Sequence, residues 1–226
     1  MSLDHSRIRA ICFDIDGTLS DSDDQFVDYL AKRLRPVRFL FPRGDPRRFA
    51  RRMVIMTETP GNFMLGLADR MGVDSPLARL SAFFYRCGLG SGSRAFMLVP
   101  GVRPMLEELQ PRYPLGIVTA RGAHTTRLFL DQFELNGIFA CVASAQTCRH
   151  TKPYPDPIRW AAAQMSVTPE QCLMVGDTKV DIRAGRAAGS QTAGVLCGFG
   201  KEKDLRRAGA DVILGTTGDL VGELME

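Results

Sequence analysis

Residues Ile8–Leu19 read Ile-Arg-Ala-Ile-Cys-Phe-Asp-Ile-Asp-Gly-Thr-Leu, an apolar run that leads directly into two carboxylates. The apolar character of Ile8–Phe13 favours a strand buried on both faces of a sheet. Positions i and i+2 of a strand point to the same side, so Asp14 and Asp16 are expected to project together at its end. Carboxylates this close repel each other unless a cation or a shared proton intervenes. Hard oxygen ligands of this kind favour Mg²⁺.

Similar short apolar runs recur along the chain and alternate with amphipathic helical stretches after Pro100. The further predicted strands are Leu115–Val118, Phe139–Ala143, Cys172–Val175, Thr192–Leu196 and Asp211–Leu214. The predicted helices are Val102–Arg112, His124–Phe133, Asp156–Met165 and Asp181–Ala188, with Gly189 placed to end the last one. This alternation predicts an α/β fold: a Rossmann-like parallel sheet with helices on both faces, in three layers.

The segment 19–96 departs from this alternation of strands and helices, because it shows helical periodicity and no convincing buried strand. It predicts an all-helical insertion (19–96) into an α/β core formed by 1–18 and 97–226. The net charge of the chain is +4. Lys32–Arg52 holds nine basic residues and one acid, so this basic segment carries +8 and the other 205 residues sum to −4. A uniformly basic nucleic-acid binder is therefore not expected.

Three further polar signals follow predicted strands. Thr119 offers a hydroxyl, and the next residue, Ala120, a backbone N–H, that could each hold a phosphate oxygen. Lys152, in a proline-rich loop, supplies a point positive charge. Asp177 follows a Gly at a strand end, and Asp181 lies four residues on, in the first turn of a helix. Each signal alone has an ordinary structural explanation: a helix cap, a solvated lysine, a capping acid. Successive carboxyl ends of one parallel sheet, however, converge on one crevice.

In this order, Asp14-x-Asp16-Gly-Thr, Thr119, Lys152-Pro and Gly-Asp177-x-x-x-Asp181 resemble the four motifs of the haloacid dehalogenase-like (HAD) hydrolase superfamily. The resemblance covers essentially the whole chain. Pro100-Gly-Val and the helical insertion are similar to the phosphoglycolate phosphatase-like and β-phosphoglucomutase-like branch, whose cap follows the first motif.

The resemblance implies a phosphoryl-transfer site. Asp14 would be the nucleophile that becomes an aspartyl-phosphate, and Asp16 the general acid and then base. Thr119, the Ala120 N–H and the loop at Asp16 and Gly17 would bind the phosphoryl group. Many relatives have Asn, Ser or Gly at the position of Ala120, so a side-chain contact there is lost.

The remaining implied roles concern charge. Lys152 would neutralise the nucleophile and the phosphate. Asp177 would bind Mg²⁺ together with Asp14 and the backbone carbonyl of Asp16. Asp181 would lie in the outer shell of the metal or pair with Lys152.

The resemblance leaves the reaction open among related activities. A Mg²⁺-dependent phosphatase acting on a small phosphomonoester, phosphoglycolate-like, is the first hypothesis, and a sugar-phosphate mutase the second. A non-catalytic phosphate-binding module is disfavoured because all four motifs are intact. Dehalogenation is disfavoured because haloalkanoate dehalogenases lack the second acid, here Asp16. An arginine of the basic segment could recognise a second anion on the substrate, although a solvated charged face is the simpler explanation.

The remaining expectations concern the surroundings of the protein. None of the six cysteines forms a Cys-x-x-Cys pair, and we expect reduced thiols in a cytoplasmic protein. Met1–Arg9 has no apolar core of signal-peptide length, and no run approaches a membrane span. The expected partner is a small phosphorylated metabolite, without nucleic acid or membrane, and the expected state is a monomer or homodimer.

Overall fold

One parallel sheet organises the computed structural model, which describes residues 3–21 and 96–225. Within these ranges the strands are β1 (Ala10–Phe13), β2 (Leu115–Val118), β3 (Cys141–Ala143), β4 (Cys172–Gly176), β5 (Gln191–Val195) and β6 (Val212–Leu214). Their order across the sheet is β3-β2-β1-β4-β5-β6, and every neighbouring pair runs parallel. β1 therefore lies between β2 and β4, and the carboxyl ends of all three strands meet at one edge.

Helices connect the strands in alternation. They are α1 (Val102–Leu109), α2 (Ala123–Gln132), α3 (Asp156–Gln164), α4 (Lys179–Ala188), α5 (Glu202–Ala208) and α6 (Leu220–Met225). Three short 3₁₀ turns, at His5–Arg7, Pro169–Gln171 and Thr217–Asp219, complete the described elements. Strands that alternate with helices in this way confirm the predicted Rossmann-like α/β core.

The alternating side chains of β1 separate two apolar layers. Ile11 and Phe13 belong to a core that also contains side chains from α1, α2 and α6, whereas Ala10 and Cys12 belong to a second core with α3 and α4. Successive strand residues point to opposite faces, so a strand covered on both faces must be apolar throughout. This is the physical reason for the unbroken apolar run that precedes Asp14.

All of the predicted strands are present, and most helix boundaries agree to within a few residues. α4 begins at Lys179 rather than at the predicted Asp181, because Thr178 and the Asp181 side chain form a reciprocal capping box at its start. Gly189 adopts a φ of 89° and ends this helix, as predicted. α5 and α6 lie where the sequence predicted no helix; they have only seven and six residues.

The chain leaves and re-enters the core at one place. The Val99 N–H donates to the Leu19 carbonyl and the Asp21 N–H to the Met97 carbonyl, so the outgoing and returning segments run side by side. Residues 22–95, which form nearly all of the predicted helical cap and include its basic segment Lys32–Arg52, fall outside the described residues. The domain boundaries and the cap stay predictions.

The described residues bear on two expectations, one about the cysteines and one about membrane-spanning segments. The five cysteines in these ranges are free thiols, and Cys12, Cys141 and Cys172 are buried among apolar side chains. Within residues 3–21 and 96–225, no helix is long and apolar enough to cross a bilayer.

Candidate active site

The loop after β1 carries the first motif and is folded around one backbone carbonyl. The oxygen of Ile15 accepts hydrogen bonds from the N–H groups of Leu19 (2.9 Å) and Ser20 (2.8 Å), while the Ile15 side chain is buried in the core. Asp14 and Asp16 flank this inward-pointing residue. The loop thus places both carboxylates at the carboxyl end of β1. They do not project together as expected, because β1 ends at Phe13 and strand alternation does not extend to them.

Gly17 makes the turn possible and also allows another acid to approach. Its φ is +74°, in the left-handed region that other residues adopt only with strain. A Cβ at this position would lie 2.5 Å from Oδ2 of Asp177. The first motif and the loop after β4 can therefore meet only because residue 17 has no side chain.

Lys152 lies at the centre of the site. Its Nζ is 2.8 Å from Oδ1 of Asp14 and 2.6 Å from Oδ1 of Asp181, and all three residues are buried. The loop that follows β3 thus sends one ammonium group to the carboxyl ends of both β1 and β4. The structure joins three sequence-predicted residues through this single charge.

Asp181 has two functions in this arrangement. Its Oδ2 accepts hydrogen bonds from the backbone N–H and hydroxyl of Thr178, at 3.0 and 2.6 Å, and its Oδ1 holds Lys152. It therefore caps α4 and also pairs with the lysine. A Cβ on Gly176 would lie 2.4 Å from the Asp181 carboxyl carbon, so β4 must end in glycine for this carboxylate to lie over its end.

A third buried carboxylate completes a candidate metal centre. Asp177 is fully buried, and its Oδ2 accepts a 2.8 Å hydrogen bond from the Phe199 N–H. Oxygens of Asp14, Asp177 and Asp181 all lie within 4.8 Å of one another. Hard carboxylate oxygens suit Mg²⁺, and these acids together with Lys152 carry two negative charges in excess when all four are ionised. The donor set therefore fits a divalent cation.

The electrostatics of the cluster follow from its burial. Burial raises the pKa of Asp14 to about 7, and the charges of Asp181 and Asp16 add to this effect against the opposing attraction of Lys152. Burial by itself would lower the pKa of Lys152, but the carboxylates of Asp14 and Asp181 outweigh it and the pKa lies above its usual range. The lysine is therefore charged at neutral pH, and added positive charge would favour ionised Asp14.

The second motif lies at the end of β2, the strand beside β1. Thr119 is buried, and its Oγ1 accepts a hydrogen bond of 3.1 Å from the Arg121 N–H. Ala120, half-buried, lies between them. The proposed phosphoryl-binding groups thus reach the same edge of the sheet as Asp14, one strand away.

The Asp16 carboxylate takes a different direction from that of Asp14. It is bound by the guanidinium of Arg121, with Arg121 Nε 2.6 Å from Asp16 Oδ2 and Arg121 Nη2 bonded to Oδ1. The carboxylate groups gathered around Asp14 in the described ranges are those of Asp177 and Asp181. The metal contact expected of Asp16 is through its backbone carbonyl, and it stays a prediction.

Comparison with known proteins identifies the family. The model of the haloacid dehalogenase-like hydrolase family matches residues 81–195, slightly more than half of the chain. The chain belongs to this family. The match includes Thr119, Lys152, Asp177 and Asp181, whereas Asp14 lies before it.

Individual relatives of this HAD hydrolase extend over nearly its whole length. It is 29% identical over 222 residues to the pyrophosphatase PpaX of Anoxybacillus flavithermus, covering 96% of this chain and 97% of that protein. It is 28% identical over 225 residues to a phosphoglycolate phosphatase of Photorhabdus laumondii, covering 96% and 92%. Family and relatives together support a phosphoric monoester hydrolase.

The fold of this HAD hydrolase also matches solved structures. A putative β-phosphoglucomutase from Thermotoga maritima aligns with a TM-score of 0.71 at 21% identity, covering 96% of this chain and 99% of that one. At this identity the likeness concerns the fold. A hydrolase from Pseudomonas syringae, 26% identical, gives the same TM-score over 96% and 98%.

Sequence reasoning missed two contributors to the site. Arg121 gave no distinct signal, because a single basic residue after a strand is usually solvated, and its partner lies 105 positions away. Phe199 contributes only its backbone N–H to Asp177, which no side-chain pattern reveals. The glycines on either side of Phe199 are the local cue, since Cβ atoms at Gly198 and Gly200 would collide with Asp177.

Proposed function

We propose that this HAD hydrolase is a Mg²⁺-dependent phosphatase that hydrolyses a small phosphomonoester through an aspartyl-phosphate on Asp14. The observation that carries the proposal is the buried contact of Lys152 with both Asp14 and Asp181, with Asp177 close by. Opposed charges in a water-poor setting hold a nucleophile in one position, which suits phosphoryl transfer. Bound Mg²⁺ would supply further positive charge against the phosphate and the nucleophile.

The reaction proceeds in two displacements on the chain's own residues. In the first, an Asp14 carboxylate oxygen forms a bond to phosphorus while the bond from phosphorus to the leaving oxygen breaks, and that oxygen takes a proton from Asp16. In the second, water attacks phosphorus and gives a proton to Asp16 while the bond to Asp14 breaks. Asp16 ends the cycle protonated as it began, and Asp14 is regenerated.

Thr119 and Lys152 position the group that is transferred. The Thr119 hydroxyl lies at the end of the strand adjacent to Asp14, and the Lys152 ammonium already contacts the nucleophile. Together with the Ala120 N–H and the Gly17 turn, they offer donors to the phosphoryl oxygens. Holding reactants in line in this way lowers the barrier without further chemistry.

The substrate we propose is a small, anionic phosphorylated metabolite met in the cytoplasm by a monomer or homodimer. Relatives named phosphoglycolate phosphatase and pyrophosphatase support a compact phosphoryl donor with additional negative charge. An arginine of Lys32–Arg52 would recognise that second anion, a role that falls outside the described residues.

The test is a panel of phosphate compounds assayed with Mg²⁺ and again with EDTA. We expect phosphate release from phosphoglycolate or p-nitrophenyl phosphate only with the metal, and a loss of about 10⁴-fold or more in kcat for Asp14→Asn. Asp204→Asn, an exposed acid on α5, is the matched control and should leave the rate unchanged. Undiminished turnover by Asp14→Asn, or conversion of glucose 1-phosphate to its 6-phosphate without phosphate release, would overturn the proposal.

A further inference from the structure

Arg121 forms an ion pair with Asp16 beside the buried cluster of Asp14, Lys152, Asp177 and Asp181. Its guanidinium binds both carboxylate oxygens of Asp16, and this fork-to-carboxylate geometry fixes orientation as well as distance. The Arg121 side chain is 11% exposed and that of Asp16 30% exposed. The pair therefore lies at the rim of the site rather than on the open surface.

Aromatic rings and backbone bonds hold Arg121 in place. Its guanidinium carbon lies 4.8 Å from the ring centre of Phe96 and 5.7 Å from that of Phe129, and the two rings pack edge to face. The Arg121 N–H donates to Thr119 Oγ1, and its carbonyl accepts the Ala145 N–H at 2.9 Å. A guanidinium on aromatic faces keeps its direction. Arg121 is thus anchored on the same turn as Thr119.

This anchoring links two motifs that the reaction uses separately. Asp16 belongs to the loop after β1 and Thr119 to the end of β2, and Arg121 joins them through its side chain and its backbone. Without this fork, the Asp16 carboxylate would be repelled by the net negative charge of the cluster formed by Asp14, Asp177, Asp181 and Lys152, and it would lose its fixed direction. The Arg121 fork keeps the Asp16 carboxylate on the Thr119 side of Asp14.

We propose that Arg121 is a positioning residue that sets the place of the Asp16 carboxylate on the leaving-group side of the site. The inference rests on the proposed function, in which Asp16 exchanges a proton with the leaving oxygen. Arg121 acts through Asp16, so its loss should matter most when the leaving group needs that proton. A misplacement of about 1 Å in such a group costs rate steeply.

The experiment compares Arg121→Met with the unmodified enzyme on phenyl phosphate and p-nitrophenyl phosphate. These substrates have similar size and an uncharged aryl group, but phenolate is more basic than p-nitrophenolate, leaves less readily and depends more on protonation by a general acid. We expect kcat/KM for phenyl phosphate to fall about 10²-fold, and that for p-nitrophenyl phosphate by less than about 10-fold. The methionine keeps an apolar side chain against both rings. Arg206→Met, from the exposed pair with Glu202 on α5, should change neither value.

Two further variants separate positioning from a structural role. Arg121→Lys keeps the charge but not the two-point contact of the guanidinium. We expect an intermediate loss in kcat/KM, again larger for phenyl phosphate than for p-nitrophenyl phosphate. This variant replaces Arg121→Met in the test if Arg121→Met does not fold. In an Asp16→Asn background, Arg121→Met should change kcat/KM by no more than about twofold, because the residue it acts through is already disabled.

The contrary results are distinct from those that would overturn the proposed function. Equal losses on both substrates, a full additional loss in the Asp16→Asn background, or no loss at all would each overturn the positioning role. If the unmodified enzyme is active and Asp14→Asn is not, any of these outcomes refutes the role of Arg121 alone. An active Asp14→Asn variant refutes the proposed function itself.

Discussion

Two carboxylates that are adjacent in one motif lie in opposite settings. Asp14 is 7% exposed and shares Lys152, itself 6% exposed, with Asp181 at 1%. Asp16 is more accessible, with a side chain 30% exposed, and is held by an arginine at the rim. Asp14 is surrounded by charged groups that are themselves buried, whereas the Asp16 carboxylate is bound by the planar guanidinium of Arg121.

The difference fits the separate roles that we propose for the two acids. A buried ion pair loses more than its own attraction when one partner is removed, because the other charge is left without compensation in a medium of low polarity. A pair whose carboxylate is 30% exposed has water available as a partial substitute and is worth less. Asp14 is thus held in one position, which suits the nucleophile role that we propose for it. Asp16 is accessible enough for the proton exchange that we propose for it.

Removing the charge of Lys152 from the buried cluster should have the largest effect on stability and on kcat. Lys152→Met removes the only positive charge that the described residues place against Asp14 and Asp181, so we expect a loss of about 3–5 kcal/mol in the free energy of unfolding. Loss of a preorganised charge at a transferring phosphoryl group should lower kcat by about 10²–10³-fold. Denaturant unfolding and steady-state kinetics measure both. Lys203→Met, at an exposed position, is the control. Equal free energies of unfolding for the two variants would show that the ion pairs of Lys152 do not stabilise the protein.

Binding of Mg²⁺ to the buried carboxylates should raise the stability of the folded protein. At a Mg²⁺ concentration about 100 times its dissociation constant, binding to the folded state alone adds about 2.7 kcal/mol of stability, seen as a rise in Tm that EDTA reverses. Asp177→Asn should abolish the rise, because Asp177 supplies one of the three buried carboxylates. Asp204→Asn should leave it intact. If Mg²⁺ raised the Tm of Asp177→Asn as much as that of the unmodified protein, Asp177 would not be a metal ligand.

A smaller effect is expected where the two regions meet, at Gly17. Gly17→Ala places a Cβ 2.5 Å from Oδ2 of Asp177 and forces a left-handed conformation. The conformation alone costs about 1–2 kcal/mol, and the displaced Asp177 should weaken the Mg²⁺-dependent rise in Tm. Gly137→Ala, where a Cβ would meet nothing within 4 Å, is the matched control. A Gly17→Ala variant as stable as this control would contradict the close approach.

The same contrast explains what the sequence could and could not predict. The buried strands were predicted correctly because burial on both faces imposes an apolar run. Asp14, Lys152, Asp177 and Asp181 could be proposed as site residues because their motifs follow strand ends, and the structure brings the four together. α5 was missed because only one of its seven residues, Leu205, is buried, too few for a period to show. The Arg121–Asp16 pair joins positions far apart in the chain, and local patterns do not encode such a contact.

The central claim, covalent catalysis at Asp14, is tested most directly by trapping the intermediate. The enzyme is mixed with ³²P-labelled substrate and Mg²⁺, quenched in acid within a single turnover, and digested for peptide mapping. We predict label on the peptide that contains Asp14, more of it in Asp16→Asn because the water-activating base is lost, and none in Asp14→Asn. Label on another peptide, or phosphate release by Asp14→Asn at the unmodified rate, would contradict the account.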